Sequence, residues 1–221
     1  SLALLLQGAA SMEAQTPEKG TLDYKVEMSG NAATGTYAPL WLTANRYGLA
    51  SQEANSGYLR AGIAYRRNLK QGWRLETGLD LAGAVNQTAP FVVQQAYADI
   101  SWRMLTLSVG SKERPGFPLE KNAALSSGMM VEGPNARPVP QIRGEIKEYL
   151  PIGFTGNWVA LKGHLAYGAF TDGNWQQDFV AANKTFTKKV LYHSKSLMFR
   201  LGNREKLPLE FEFGILMATQ F

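Results

Sequence analysis

The chain has 221 residues, of which 45% are hydrophobic, and its mean hydropathy is -0.21. This length and composition fit one domain of ordinary size and exclude a largely disordered chain. The formal charge of +5 permits an acidic partner, but the 23 lysines and arginines are dispersed along the chain, which argues against nucleic-acid binding. No cysteine is present, so disulfides, thiolate metal ligands and cysteine nucleophiles are excluded.

The first segment, residues 1–14, has the composition of a secretory signal. A short apolar stretch from Leu2 to Leu6 is followed by small residues at 8–11 and at 14. This order is typical of the hydrophobic core and cleavage region of an export signal, whereas a short buried helix is the alternative. We therefore predict that residues 1–14 are the remnant of a signal peptide and that residues 15–221 form the exported domain.

From residue 38 onwards the sequence predicts β-strands. In residues 73–81, WRLETGLDL, large apolar side chains alternate with arginine, glutamate, glycine and aspartate. Such alternation gives a strand one apolar and one polar face. Charged residues in the middle of so many strands favour an outer-membrane barrel over a soluble sandwich. Nine strands are predicted, over residues 38–47, 57–67, 73–84, 91–101, 105–112, 141–150, 157–170, 192–202 and 208–220.

The connections between these strands alternate between short and long. Outer-membrane barrels have short periplasmic turns and longer external loops, so the alternation orients the chain. Four tryptophans lie beside the proposed periplasmic turns, where an aromatic girdle is expected: Trp41, Trp73, Trp102 and Trp158. The fold predicted is all-β, a transmembrane antiparallel β-barrel of the outer-membrane type.

The strand count bears on whether this barrel is complete. With nine strands the first and the last both run outward, whereas a closed bacterial barrel has an even number of strands. We therefore predict that the chain is about half of a larger barrel. Residues 21–29 also alternate, however, and counting them as a tenth strand leaves a complete small barrel as the alternative.

Four stretches carry a resemblance to a known family. They are APLWLTANRYG (38–48), LSSGMMVEGPNARPVPQI (125–142), AYGAFTDGNWQQ (166–177) and VLYHSKSLMFRLGN (190–203). They resemble the N-terminal half of the capsule assembly Wzi family of bacterial outer-membrane proteins. The resemblance implies a monomeric barrel of about 18 strands that acts as a lectin and holds capsular or other surface polysaccharide on the cell. Outer-membrane lipid is then the other expected partner.

Residues 113–140 form the longest predicted connection. Five prolines and three glycines in this segment forbid a regular strand or a long helix, so we expect an ordered loop that folds over or into the barrel. Asn135, Arg137 and Gln141 are candidate hydrogen-bonding groups for a sugar. The alternative is a loop that narrows or supports the barrel and whose polar groups bond to its own backbone.

Residues 171–189 form the second candidate binding loop. An indole can stack on the C–H face of a sugar ring, and amide or carboxylate side chains can bind sugar hydroxyls. Trp175 is therefore the proposed stacking residue, and Asp172, Asn174 and Gln176 are proposed hydroxyl ligands. The alternative is a tryptophan packed under its own loop. Lys184, Lys188 and Lys189 are either contacts for acidic sugars or solvated surface residues.

Charges on the predicted inner face number eight basic and six acidic residues, so cross-strand ion pairing accounts for them without a ligand. The two histidines, His164 and His193, do not form a catalytic or metal-binding motif, and no phosphate-binding glycine motif occurs. The absence of these motifs predicts a protein that is not an enzyme and has no cofactor or metal, and the resemblance to the Wzi family implies that it is a lectin. A porin or transport channel is the alternative function, and a soluble periplasmic sandwich is a weaker one.

Overall fold

A computed structural model describes most of the chain. It covers residues 3–16, 20–115, 131–171, 176–177, 180, 184–203 and 206–221. No helix in these ranges is long and apolar enough to cross a membrane.

Ten strands form a single antiparallel sheet in which each strand pairs with the next one in the chain. Between residues 3 and 221, as far as the structure describes them, β1 and β10 do not pair, so the sheet is open. The all-β antiparallel prediction is confirmed. The strands are β1 (Ala3–Thr16), β2 (Gly20–Tyr37), β3 (Glu53–Asn68), β4 (Trp73–Val85), β5 (Phe91–Trp102), β6 (Leu105–Ser111), β7 (Gln141–Pro151), β8 (Val159–Ala169), β9 (Leu191–Leu201) and β10 (Phe211–Gln220).

The N-terminal part of the chain differs from the prediction. The alternating segment 21–29, the alternative extra strand, lies within β2. With β1, which is not among the predicted strands, and without the predicted strand 38–47, the count is ten rather than nine. Residues 3–16 form β1, which pairs with β2 from Ala3 opposite Ala33 to Thr16 opposite Gly20. The interpretation of residues 1–14 as an export signal stays a prediction.

The predicted strand 38–47 is wrong. A short 3₁₀ helix occupies Leu40–Leu42, and Asn45 and Tyr47 have positive φ angles of 58° and 51°. Left-handed residues of this kind turn the chain and cannot continue an extended strand. Residues 38–52 are therefore a connection between β2 and β3, and Trp41 lies in it.

The other eight predicted strands correspond to β3–β10, with ends that differ by at most four residues. Their connections alternate between the two ends of the sheet. Those over residues 69–72, 103–104, 152–158 and 202–210 meet at one end, which we call the short-turn end. Trp73, Trp102 and Trp158 lie at this end. The connections 38–52 and 86–90, and the described parts of the connections 112–140 and 170–190, meet at the opposite end, the long-loop end. The predicted alternation in length holds only in part, because 202–210 spans nine residues whereas 86–90 at the long-loop end spans five.

The two faces of the sheet have opposite polarity. One face, the polar face, is buried and carries side chains such as Arg143 and Ser194, which are 1% and 0% exposed. The other face, the apolar face, is exposed and carries side chains such as Ile142 and Leu165, at 60% and 52%. A sheet in a soluble protein has the reverse arrangement.

Ion pairs between neighbouring strands satisfy the charges of the polar face. Arg60 Nε lies 2.8 Å from both carboxylate oxygens of Asp80, and Lys112 Nζ lies 2.7 Å from Glu76 and 2.8 Å from Asp99. The prediction of cross-strand ion pairing is confirmed for these groups. Because each charge has an opposite charge on an adjacent strand, the pairs also favour this strand register.

Gly110 in β6 provides a test of the register. Its φ angle is 108°, and a Cβ at this position would lie 2.0 Å from the carbonyl oxygen of Ala96 on β5. Gly110→Ala should therefore lower the free energy of unfolding by roughly 1–3 kcal/mol, the usual range for backbone strain. The matched control is Gly144→Ala on β7, where no atom lies within 4 Å of the added Cβ. Thermal unfolding followed by circular dichroism measures both, and equal stabilities would contradict the assigned packing of β5 and β6.

Candidate functional site

A cavity of about 620 Å³ lies on the polar face at the long-loop end. Residues 131–140, which we call the inner segment, form much of its wall. The cavity's described lining also includes Tyr47, Arg114, Gln141, Arg143, Phe170, Tyr192 and residues 218–220. A smaller cavity of about 330 Å³ adjoins it and shares Arg137, Phe170 and Gln220. Both volumes fall in the range of small-ligand sites, about 300–1,000 Å³.

The inner segment is interlocked with the connection 38–52. The amide N–H of Tyr47 donates to the carbonyl of Pro134 at 2.6 Å, and the amide N–H of Asn45 donates to Oδ1 of Asn135 at 2.7 Å. Leu49, only 1% exposed, packs against Tyr58, Ala82 and Val92. The two connections therefore form one rim that is attached to the sheet through an apolar cluster.

A β-bulge in β5 attaches this rim from below. The register shifts between Asp80 and Leu81, which leaves Gln94 as an extra residue on β5. Gln94 Nε2 donates to the carbonyl of Tyr47 and to Glu113 Oε1, both at 2.9 Å. Gln95 Oε1 accepts a hydrogen bond of 2.9 Å from the amide N–H of Glu113. A bulge re-aims side chains, and this one directs two adjacent glutamines towards the loops.

Glu132 anchors the inner segment to two strands. Its carboxylate lies 3.2 Å from Arg143 Nη1 on β7, accepts a hydrogen bond of 3.0 Å from Tyr192 Oη on β9 and accepts another from Ser194 Oγ. Burial alone would raise the pKa of Glu132, but the nearby charges of Arg143 and His164 and these hydrogen bonds outweigh it and hold the pKa below its usual value.

Sequence reasoning missed the residues around His164 on β8. Nε2 of His164 lies 2.8 Å from Ser194 Oγ, and Nδ1 lies 2.8 Å from Ser196 Oγ. The alternation of β9 places both serines on the polar face, and that of β8 places His164 there. The sequence pattern of the two strands could therefore have identified these residues as neighbours. The side chain of His164 has no exposed surface and Ser194 is 0% exposed. These groups therefore extend the Glu132 anchor beneath the cavity rather than meeting a ligand.

The cavity wall combines aromatic, amide and guanidinium groups. The rings of Phe170 and Tyr192 meet edge to face, with centroids 5.3 Å apart, and Tyr47 lies on the same wall. Gln141 is 8% exposed, and its Oε1 accepts no hydrogen bond from any residue that the structure describes. A buried acceptor of this kind is stabilised when a ligand hydroxyl donates to it.

The structure brings together four of the residues proposed from the sequence, among them Gln141 in the larger cavity. Arg137 lines both cavities, Asn135 lines the larger one and Gln176 the smaller one. Asn135 also bonds to the connection 38–52, so it has a structural role as well. Asp172, Asn174 and Trp175 lie outside the described residues, and their roles stay predictions. Lys184, Lys188 and Lys189 are exposed.

Within the described ranges, no group of three or more histidine, aspartate and glutamate side chains is arranged to hold a metal ion. The chemistry that the lining offers is hydrogen bonding, ring stacking and ion pairing. The fold and the site therefore define an antiparallel all-β protein with an exposed apolar face and a polar cavity at its long-loop end.

Comparison with known proteins adds no relative to this description. Neither the models of protein families nor the curated proteins give a match to this sequence. The resemblance to the Wzi family therefore rests on the four stretches named above.

Removing the charge of Glu132 should loosen the inner segment. Glu132→Gln leaves Arg143 with one carboxylate fewer, and we expect the amide N–H of Tyr47, which bonds to Pro134, to exchange with solvent at least tenfold faster. Glu148→Gln, on the exposed part of the same strand β7, is the matched control. Hydrogen exchange at neutral pH measures the effect. Unchanged exchange at Tyr47 would contradict the anchoring role of Glu132.

The wild-type protein and Glu132→Gln should also differ in the pH dependence of their free energy of unfolding. Because folding lowers the pKa of Glu132 from its ordinary value of 4.5, its stabilisation is fully present above about pH 4.5 and is lost as the pH falls further. Unfolding free energies at pH 6 and pH 3 should therefore differ more in the wild-type protein than in Glu132→Gln. Equal differences in the two proteins would contradict this assignment.

Proposed function

We propose that the chain belongs to an outer-membrane β-barrel protein of bacteria that binds surface polysaccharide at its long-loop end and catalyses no reaction. In this proposal it is a lectin that retains or helps to assemble capsular polysaccharide on the cell. The observation that carries the proposal is the cavity, where aromatic rings, a buried free amide acceptor and an arginine converge on the polar face.

The polarity of the two faces supports the membrane location. Large side chains of the apolar face are exposed on every strand from β2 to β10, including Val26, Leu59, Leu79, Val93 and Ile215. In water this surface would favour association, whereas in a bilayer it would face hydrocarbon. The aromatic residues Trp73, Trp102 and Trp158 at the short-turn end fit the boundary of the bilayer.

The composition of the cavity supports a sugar ligand. Aromatic rings offer flat apolar surface to the C–H face of a sugar, and amide groups pair with its hydroxyls. Hydrogen bonds and the apolar cluster around Leu49 fix the rim that carries these groups. Binding therefore costs little conformational entropy in the protein. The four stretches that resemble the Wzi family point to the same class of ligand.

A porin or transport channel is the second candidate, because the polar face is charged along its length. The placement of the inner segment favours the lectin over the channel. Residues 131–140 lie on the polar face and are bonded to β7 and β9 through Glu132, where they would narrow a passage along that face.

Deletion of the gene tests the proposed function directly. If the protein holds polysaccharide on the cell, the deletion strain should make its polysaccharide but release most of it into the medium, as measured by the ratio of cell-attached to free polymer. Complementation with the intact gene is the control. Unchanged attachment would refute the lectin, and steady conductance of the purified protein in planar bilayers would then favour the channel.

Gln141→Met tests the contribution of the cavity. The substitution keeps the length of the side chain but removes the buried acceptor, which should weaken binding about 5- to 150-fold, the equivalent of 1–3 kcal/mol for one unsatisfied group. Calorimetry of the purified protein with polysaccharide from the cells that produce it measures the change. Gln52→Met, an exposed glutamine beside the same end of the sheet, should bind as the wild type does. Unchanged binding by Gln141→Met would place the sugar elsewhere.

A further inference from the structure

The charges that line the cavity do not balance. Its described lining contains Arg114, Arg137 and Arg143 but only one acidic residue, Glu132, which leaves a formal charge of +2. Glu132 is bonded to Arg143 at 3.2 Å, so its charge is already compensated. The remaining positive charge belongs to Arg114 and Arg137.

These two arginines differ in their surroundings. Arg114 donates to the carbonyl of Lys112 at 3.1 Å and to Ser108 Oγ at 2.9 Å, and its Nε lies 3.8 Å from Glu145. Arg137 has no ion pair with a carboxylate of the residues that the structure describes. Burial lowers the pKa of Arg137 and no acidic group among the described residues offsets it, yet a guanidinium stays protonated at neutral pH. Arg137 is therefore the cation that is open to a ligand.

The position of Arg137 suits ligand binding. It lies at the junction of the two cavities and is common to the linings of both. Its backbone packs against Gly48, where a Cβ would lie 2.9 Å from the Arg137 nitrogen. Gly48 has a φ angle of 74°, a conformation that a residue with a side chain rarely adopts. The close approach of these two backbones fixes where the guanidinium emerges.

A half-buried cation without a counter-ion is destabilised, and an anionic ligand removes that cost. The guanidinium presents two parallel N–H groups that match the two oxygens of a carboxylate, and such charge-assisted pairs are about twice as strong as neutral hydrogen bonds. Neutral sugars lack a group with this charge and shape. Carboxylates are the acidic groups of uronic acids, which are sugars that the aromatic and amide lining can also bind.

We infer that this site is selective for acidic polysaccharide and that Arg137 binds the carboxylate of a sugar acid within it. The inference rests on the proposed function, since it names the chemical class of the polymer that the same cavity takes. Gln141 and the aromatic wall then bind the ring and hydroxyls, and Arg137 sets the preference for charge.

Chemical reduction of carboxyl groups provides the test. The probe is polysaccharide purified from the cells that produce this protein, compared with the same material after its carboxylates are reduced to alcohols. Full-length protein in detergent should bind the native polymer at least tenfold more tightly than the reduced one. Arg137→Gln should bind both forms with the affinity that the wild type has for the reduced form, and Arg137→Lys should recover part of the preference.

A control variant distinguishes binding at this site from non-specific electrostatic attraction between a basic protein and an acidic polymer. Arg103 lies at the short-turn end, where it contacts Trp102 and not the cavity. Arg103→Gln should therefore keep the full preference for the native polymer over the reduced one. If Arg137→Gln does not fold, the wild-type comparison and Arg137→Lys decide the matter. Equal binding of native and reduced polymer by the wild type, a native polymer without carboxylates, or a preference that survives Arg137→Gln would overturn the inference.

The binding and deletion experiments together distinguish failure of this inference from failure of the proposed function. If the wild type binds both forms equally well, the protein is a lectin without charge selectivity, and only the role of Arg137 is refuted. If the wild type binds neither form and gene deletion leaves the polymer on the cell, both the lectin and the inference are refuted.

Discussion

The structure depends on the burial of charged and polar side chains on one face of a single sheet. Placing Arg60, Asp80 and Arg143 away from solvent is costly unless every charge finds a partner. The antiparallel register supplies partners from the next strand, and the connections supply the others through Glu113 and Glu132. Glu113 and the inner segment are therefore part of the charge balance of the sheet.

Much of this architecture could be predicted from the sequence, because alternation is a local property. Residues 73–81 and 95–102 show their two faces without knowledge of any neighbour, and β4 and β5 lie where the alternation predicts them. The segment 38–47 failed because Trp41, Leu42 and Tyr47 suggest a strand, whereas the left-handed residues Asn45 and Tyr47 turn the chain. A preference for positive φ in a tyrosine has no local sequence cue.

The candidate site was harder to predict than the strands. Arg137 and Asn135 were found because a loop rich in proline and glycine drew attention to its polar residues. The role of Glu132, and the contacts of His164 with Ser194 and Ser196, depend on which strands lie beside one another and on a loop that folds inward. The alternation of β8 and β9 shows which of their side chains share the polar face. That Glu132 of the inner segment contacts them follows only from the tertiary structure.

The anchoring of the inner segment has a consequence for the order of assembly. Its bonds join residues that are far apart in the chain: Glu132 and Ser194 are separated by 62 positions, and Asn45 and Asn135 by 90. Contacts of such separation form late, because the loop entropy must be lost before they are gained. Arg143, Tyr192 and Ser194 face the segment only once β7, β8 and β9 have paired. The cavity is thus completed last, and a partly assembled sheet does not contain it.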